Sequence, residues 1–112
     1  MPDYAVEIEF AAPEFPAPEF RMLRRQLVPL LQDSEGVTHV HADRSTRVVT
    51  AAIEVSAPSS STAVAKAGAT ARALQARLHK VRAAKIALRV EVVADERAHA
   101  VRDAAPRALV ER

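Results

Sequence analysis

The sequence predicts an α+β fold in which two helices cover one face of a four-stranded antiparallel sheet, in the order β-α-β-β-α-β. Two patterns in the spacing of apolar residues lead to this prediction. Apolar residues alternate with polar ones in four short segments, and they recur every three to four residues in two longer ones. With 49% apolar residues, a chain of 112 residues can build a single core. We therefore expect one domain over residues 1–94 and a C-terminal tail over residues 95–112 that is helical or frayed.

The first half of the chain predicts a strand followed by a helix. Tyr4 to Phe10 (YAVEIEF) alternates apolar and polar side chains. A proline-rich stretch follows (FAAPEFPAPEF), in which Pro18 favours the start of a helix. From Glu19 to Gln32 leucines recur with helical spacing, and Pro29 is expected to kink or tighten the last turn. Two phenylalanines of the proline-rich stretch are expected at the edge of the core: Phe15 and Phe20.

The second half of the chain predicts a hairpin, a helix and a fourth strand. The segments VTHVHAD and STRVVTAAIEVSA have strand patterns and are separated by a turn at Asp43 to Ser45. A serine-rich run then supplies N-cap candidates for a helix from Ala63 to about Lys80. Gly68 inside this helix predicts a close approach to a neighbouring element. Alternation returns from Ile86 to Val93, which predicts the last strand.

This order of elements resembles the ferredoxin-like superfold, which hosts metal chaperones, ligand-binding modules, RNA-binding domains and small oxygenases. One segment, Leu30 to Val55 (LLQDSEGVTHVHADRSTRVVTAAIEV), is similar to the helix end and hairpin of the heavy-metal-associated domain, where GV-x-x-V-x-x-D leads into the third strand. That family binds its metal through two cysteines in the loop between the first strand and the first helix. The corresponding loop, Ala11 to Pro18, contains no cysteine, so the resemblance implies topology and not metal transport.

The composition excludes several classes of function. Without cysteine the chain has no disulfide, thiolate metal site or cysteine nucleophile. Its two glycines cannot form a phosphate-binding loop, and its serines lack the Gly-x-Ser-x-Gly context of hydrolases. We therefore expect no cofactor. The sequence shows neither a signal-peptide pattern nor an apolar run of about 20 residues, which favours a cytoplasmic protein that does not bind membranes. The excess of Arg over Lys and the abundance of Ala favour a bacterial source.

Strand alternation divides the predicted sheet into a core face and an open face, if Val40 and Ala42 point towards the helices. The core face then consists of Tyr4, Val6, Ile8, Phe10, Val49, Ala51, Ile53, Val55, Leu88, Val90 and Val92. The open face carries the ligand or interface candidates Glu7, Glu9, His39, His41, Thr50, Glu54, Arg89 and Glu91, together with Val48 and Ala52. In this fold the occupant of the open face decides the function, and ordinary solvent is one such occupant.

Several functions suit such a face. The first is a non-catalytic binding, adaptor or assembly module, which we expect to bind itself as a dimer or higher oligomer and also to bind a protein partner. Oligomerisation would add burial to a core made mostly of alanine and valine. The second is a small dimeric α+β barrel enzyme, of the oxygenase or isomerase type, that uses the face carrying His39 and His41, with Arg89 to bind an anion.

Metal and nucleic acid are two further candidates. His39 and His41 are two residues apart on a strand, so their imidazoles project to one face about 7 Å apart, as zinc ligands on strands do. Glu54 or a glutamate of the first strand would supply a third ligand. Nucleic acid is not expected, because the open face lacks the stacking aromatics of RNA-binding domains. The basic residues near the second helix's end fit a solvated surface: Arg72, Arg77, Lys80, Arg82, Lys85 and Arg89.

Overall fold

The computed structural model describes residues 1–95 of the chain. Its elements are β1 (Asp3–Ala11), α1 (Ala17–Gln32), β2 (Val37–Asp43), β3 (Val48–Ser56), α2 (Ser60–Gln75), a single 3-10 turn (Ala83–Lys85) and β4 (Ala87–Asp95). The strands form one antiparallel sheet in the order β2-β3-β1-β4. This arrangement of four strands and two helices is ferredoxin-like, so the predicted fold class is confirmed. The predicted domain boundary falls within β4, and residues 96–112 of the predicted tail lie outside the described part.

The core lies between the helices and one face of the sheet. In β1 and β3 every second side chain is buried, and Val6, Ile8 and Phe10 are completely enclosed. The helices contribute leucines and alanines, among them Leu23 and Ala67. The predicted core face is therefore confirmed. Its members on the outer strands are only half-buried because β2 and β4 have one neighbouring strand each: Val40, Ala42, Leu88, Val90 and Val92.

The proline-rich stretch is a rigid connection from β1 to α1. Phe15 and Phe20 are buried at 2% exposure each, as the sequence predicts. Pro16 has extended backbone angles and precedes the helix, and Pro18 occupies its first turn, where no backbone donor is needed. Arg47 holds the stretch from the hairpin, because its Nε atom donates a hydrogen bond of 3.0 Å to the carbonyl oxygen of Phe15. The connection is thus fixed by buried rings and a cation from another loop.

Helix α2 ends at Gln75, five residues before the predicted end at Lys80. A contact with the other helix explains this early end. The side chain of Gln26 on α1 donates to the His79 carbonyl oxygen (2.7 Å) and accepts from the His79 backbone nitrogen (3.0 Å). Lys80 then takes a φ of 63°, which a continuing right-handed helix does not allow. Leu78 and Val81 continue the apolar spacing of the helix in the sequence, but they pack against the core from this loop.

Gly36 and Gly68 have different structural roles. Gly36 has a φ of +87°, and a Cβ there would lie 2.7 Å from the Glu54 carbonyl oxygen. At Gly68 the predicted close approach of another element is wrong. The atoms nearest to a Cβ there belong to the Arg72 side chain of the same helix, at 3.4 Å or more. Gly36 is therefore required by the turn, whereas Gly68 leaves room for a methyl group.

We expect opposite effects when each of these glycines is replaced by alanine. Gly68→Ala should raise the free energy of unfolding by about 0.5–1 kcal/mol, because alanine loses less backbone entropy in a helix. Gly36→Ala should lower it by about 2–3 kcal/mol, because alanine is strained at this φ and meets a backbone oxygen. Urea unfolding of both variants tests the pair. Equal effects of the two substitutions would contradict this assignment.

An ion pair joins the start of α1 to the loop after α2. The Arg82 guanidinium donates from Nη2 to Glu19 Oε1 (2.8 Å) and from Nε to Glu19 Oε2 (3.0 Å). The backbone nitrogen of Arg82 also donates to Glu19 Oε2, at 3.0 Å. Arg82 lies over the Phe15 ring, 5.5 Å from its centre. These hydrogen bonds from Arg82 hold the pKa of the Glu19 carboxyl below its ordinary value of 4.5.

Because the pKa of Glu19 is lower in the folded chain than in the unfolded one, its contribution to stability should depend on pH. The contribution is complete above the unfolded value and is lost as the pH falls through the folded value. Wild type should therefore lose more stability than Glu19→Gln between about pH 6 and about pH 3. Urea unfolding at both pH values measures the difference. Parallel losses in the two proteins would show that the ion pair contributes nothing.

Candidate functional site

The open face of the sheet carries the predicted site residues in two rows that cross all four strands. Strand register aligns His41, Thr50, Glu9 and Arg89 in one row, and His39, Ala52, Glu7 and Glu91 in the next. Glu54 lies beyond the second row, where it is paired with Ala5. The predicted site residues therefore share one face, opposite the buried side chains of the same strands.

The middle of this face combines small side chains with two carboxylates. Thr50 and Ala52 on β3 lie beside Glu9 and Glu7 on β1, and all four are half-buried. His39 and His41 on the outer strand β2 are exposed. Another flat surface can therefore approach the face most closely over Thr50 and Ala52.

The charges of the face are only partly paired. The Arg89 guanidinium lies 4.0 Å from Glu9 Oε1 and 3.7 Å from Glu91 Oε1. Both contacts are long and exposed, so each contributes little to stability. Within residues 1–95 no ion pair includes Glu7, although this side chain is half-buried between β3 and β4. The half of the face formed by β1 and β4 therefore has more carboxylates than cations.

The histidines stand apart from the carboxylates of β1. Strand β3 separates β2 from β1, so about 10 Å lies between the two backbones at the usual strand spacing. In the described part of the chain, no three histidine or carboxylate side chains come together in a group that could hold a metal ion. The idea that His39 and His41 bind a metal stays a prediction, and a third ligand would have to come from elsewhere.

Three of the hollows on the described surface lie near the sheet. The first, about 680 Å³, is lined by Asp3, Gly36, Glu54, Lys66 and other residues at one end of the sheet. The second lies between α1 and β2, and the third lies beside the start of α1 and the β2–β3 turn. None of these three hollows is lined by His39 or His41. The predicted barrel enzyme needs a cavity that encloses both histidines, which a second subunit would have to complete, and it stays a prediction.

The sequence did not reveal which basic residues form ion pairs. Half of the predicted basic cluster is paired: Arg82 with Glu19, Lys85 with Glu14 at 3.8 Å, and Arg89 with Glu9 and Glu91. The first two pairs join residues more than 60 positions apart, so no local pattern signals them. The arginines of α1, in contrast, fit the pattern of an ordinary outer helix face, yet the structure places them beside the edge strand β2.

Comparison with protein-family models, with curated proteins and with solved structures finds no match. The fold and the site together define a class, namely a ferredoxin-like α+β domain with an open, polar sheet face. The resemblance of Leu30 to Val55 to the heavy-metal-associated domain stays a prediction, because no match to a family model tests it. Among residues 1–95 no helix has both the length and the apolar character that crossing a membrane requires.

Proposed function

We propose that the chain is a non-catalytic assembly module that binds a second copy of itself through the open sheet face. One observation carries the proposal, namely the division of polar groups between two pairs of strands. Strands β2 and β3 present His39, His41 and Thr50, whereas β1 and β4 present Glu7, Glu9 and Glu91. The first group can donate hydrogen bonds, and its two imidazoles become cationic on protonation. The carboxylates of the second group accept hydrogen bonds.

A two-fold axis along the strands would bring these two groups together. Face-to-face packing about this axis places β2 opposite β4 and β3 opposite β1 of the copy, so every contact is made twice. Because an axis along the strands keeps each residue at the same level, His39 would face Glu91 of the copy, Thr50 would face Glu9, and His41 would face Arg89. Two residues depart from the division. Glu54 lies beyond the second row, and Arg89 is already shared between Glu9 and Glu91.

The size of the face sets the expected affinity. Four strands about 4.8 Å apart and about 28 Å long cover roughly 500 Å² in projection. Stable complexes usually bury about 800 Å² on each partner. Thr50 and Ala52 allow close packing on β3, but the interface remains below standard size. We therefore expect a concentration-dependent dimer with a Kd in the micromolar range, on the order of 10 μM.

Sedimentation equilibrium at two pH values tests the dimer. Histidine changes charge between about pH 5 and pH 8, so the dimer should be tighter at about pH 6 than at about pH 8. The groups that would face the imidazoles are Arg89 and Glu91 of the copy, with Glu9 on the strand beside them. In the His39→Ala, His41→Ala double variant this pH dependence should disappear. His79→Ala removes an exposed histidine outside the face and should behave like wild type. A chain that stays monomeric at millimolar concentration would contradict the proposal.

A further inference from the structure

A second surface, on the helix side of β2, has the features of a peptide-binding groove. It lies between α1 and the edge strand, with an apolar floor formed by Val28, Pro29, Val40 and Ala42 and a volume of about 380 Å³. Its rim consists of Arg21, Arg24 and Arg25. This groove faces away from the open sheet face, so its use does not depend on the proposed dimer.

The three rim arginines have no carboxylate partner within the described residues. Together with Val28 they follow the spacing i, i+3, i+4 and i+7, so they form one stripe along α1. The only acidic residue of the helix, Glu19, is held by Arg82. No residue that lines the groove carries a negative charge. The rim is therefore an uncompensated row of cations above an apolar floor.

The basic character continues beyond the end of the groove. The adjoining hollow shares Arg21 and adds Arg44 and Arg47. Its single carboxylate, Asp43, accepts hydrogen bonds from the Ser45 hydroxyl (2.7 Å) and the Ser45 backbone nitrogen (2.9 Å), which lower the pKa of Asp43. This carboxylate therefore holds the hairpin turn. An extended ligand would meet cations along the whole flank of β2.

Strand β2 also offers backbone groups to a ligand. It is an edge strand paired only with β3, so alternate residues direct their N–H and C=O groups outwards. In the described part of the chain the Val37 backbone nitrogen donates to Ser34 at the start of this edge, and no backbone hydrogen bond outside the sheet occupies it from Thr38 to Asp43. Such an edge accepts an additional strand, whose side chains alternate between the two faces of the extended sheet. On the helix side, these side chains would enter the groove beside Val40 and Ala42.

We propose that this groove binds an acidic, extended peptide segment of another protein, which adds as a fifth strand to the β2 edge. Its backbone would pair with β2, its apolar side chains would rest on the floor, and its carboxylates would meet Arg21, Arg24 and Arg25. Guanidinium groups suit this role because they form charge-assisted, often bidentate hydrogen bonds with carboxylates. The chemistry of the groove therefore selects peptides in which apolar and acidic residues occur together.

Fluorescence anisotropy with defined peptides tests this inference. The probe is a fluorescein-labelled peptide of the repeat Thr-Val-Thr-Glu, in which valine and glutamate fall on the same face of the added strand. It should bind in a salt-sensitive manner, whereas the same repeat with lysine in place of glutamate should not bind. The same probe, N-methylated at alternate backbone nitrogens, should bind at least about tenfold more weakly, because it cannot complete the strand pairing.

The Arg21→Glu, Arg25→Glu double variant should weaken binding of the probe about 10- to 100-fold. The matched control is Arg72→Glu, Arg77→Glu, which changes the net charge equally at two exposed positions outside the groove and should bind like wild type. The inference is overturned if the probe does not bind, if the rim and control variants bind it equally, or if N-methylation has no effect. Tighter binding of oligothymidylate than of the probe to the rim arginines would also overturn it.

Discussion

Replacing Phe20 by alanine is expected to lower the free energy of unfolding by about 3–5 kcal/mol. The Phe20 ring is 2% exposed and belongs to the single core cluster, and the Arg47 guanidinium lies 5.8 Å from its centre. Truncation would remove one of three phenylalanines, all of them buried in the core, and leave a cavity there. Because domains of this size are stable by only about 5–15 kcal/mol, the variant should be close to unfolding.

Urea unfolding monitored by circular dichroism measures this effect. The matched control is Met22→Ala on the same helix, because Met22 is 39% exposed and alanine is an equally good helix former. It should change the free energy of unfolding by less than about 1 kcal/mol. If Phe20→Ala cost no more than this control, the proline-rich stretch would not be anchored in the core as described.

The second large effect is expected at the centre of the open face. Ala52 lies on the inner strand β3, next to Glu7 of β1, with a half-buried side chain. An arginine at this position would project from the centre of the face and prevent the two sheets from approaching. Ala52→Arg should therefore weaken self-association at least about 100-fold. The monomer should keep its fold, because the substitution lies on the face opposite the core.

Sedimentation equilibrium over a range of concentrations measures this effect. The control is Ala69→Arg on α2, which adds the same side chain at an exposed position away from the open face. It should associate like wild type. If wild type associates and Ala52→Arg does so equally well, the subunits meet through another surface, and the proposed use of the open face is wrong.

Local periodicity predicts the fold of this chain well. The alternation in Tyr4 to Phe10 identifies both the strand and its buried side, and the same period in β3 identifies its partner. Because alternate side chains of a strand point to opposite faces, one correct assignment in each strand also defines the open face. The alternation of residues is therefore sufficient to assign all eight candidate residues to one surface.

Contacts between distant parts of the chain could not be predicted in this way. The end of α2 depends on a hydrogen-bonded side chain, Gln26, which is 53 residues away from His79. The pairing of Arg82 with Glu19 removes charge from a cluster that looks uniformly basic in the sequence. The groove requires α1 to lie beside the free edge of β2. Each of these features arises from tertiary packing, which the spacing of apolar residues along the sequence does not reveal.

Exchange of charges between two variants tests the central proposal most directly. Glu9→Lys, Glu91→Lys makes the carboxylate side of the face cationic, whereas His39→Glu, His41→Glu makes the histidine side anionic. In a two-fold dimer the first variant alone would place lysine opposite histidine, and the second alone would place glutamate opposite glutamate. A mixed dimer would place lysine opposite glutamate at one contact and keep the wild-type histidine–carboxylate contact at the other. Circular dichroism would first establish that both variants are folded.

The measurement is sedimentation equilibrium of each variant alone and of their equimolar mixture, at about pH 6, where imidazoles are largely cationic, and at low salt. We predict that each variant alone sediments at the 12.1 kDa mass of a single chain and that the mixture approaches twice this mass. The proposal is contradicted if the mixture stays monomeric where wild type dimerises, or if either variant alone associates as strongly as wild type.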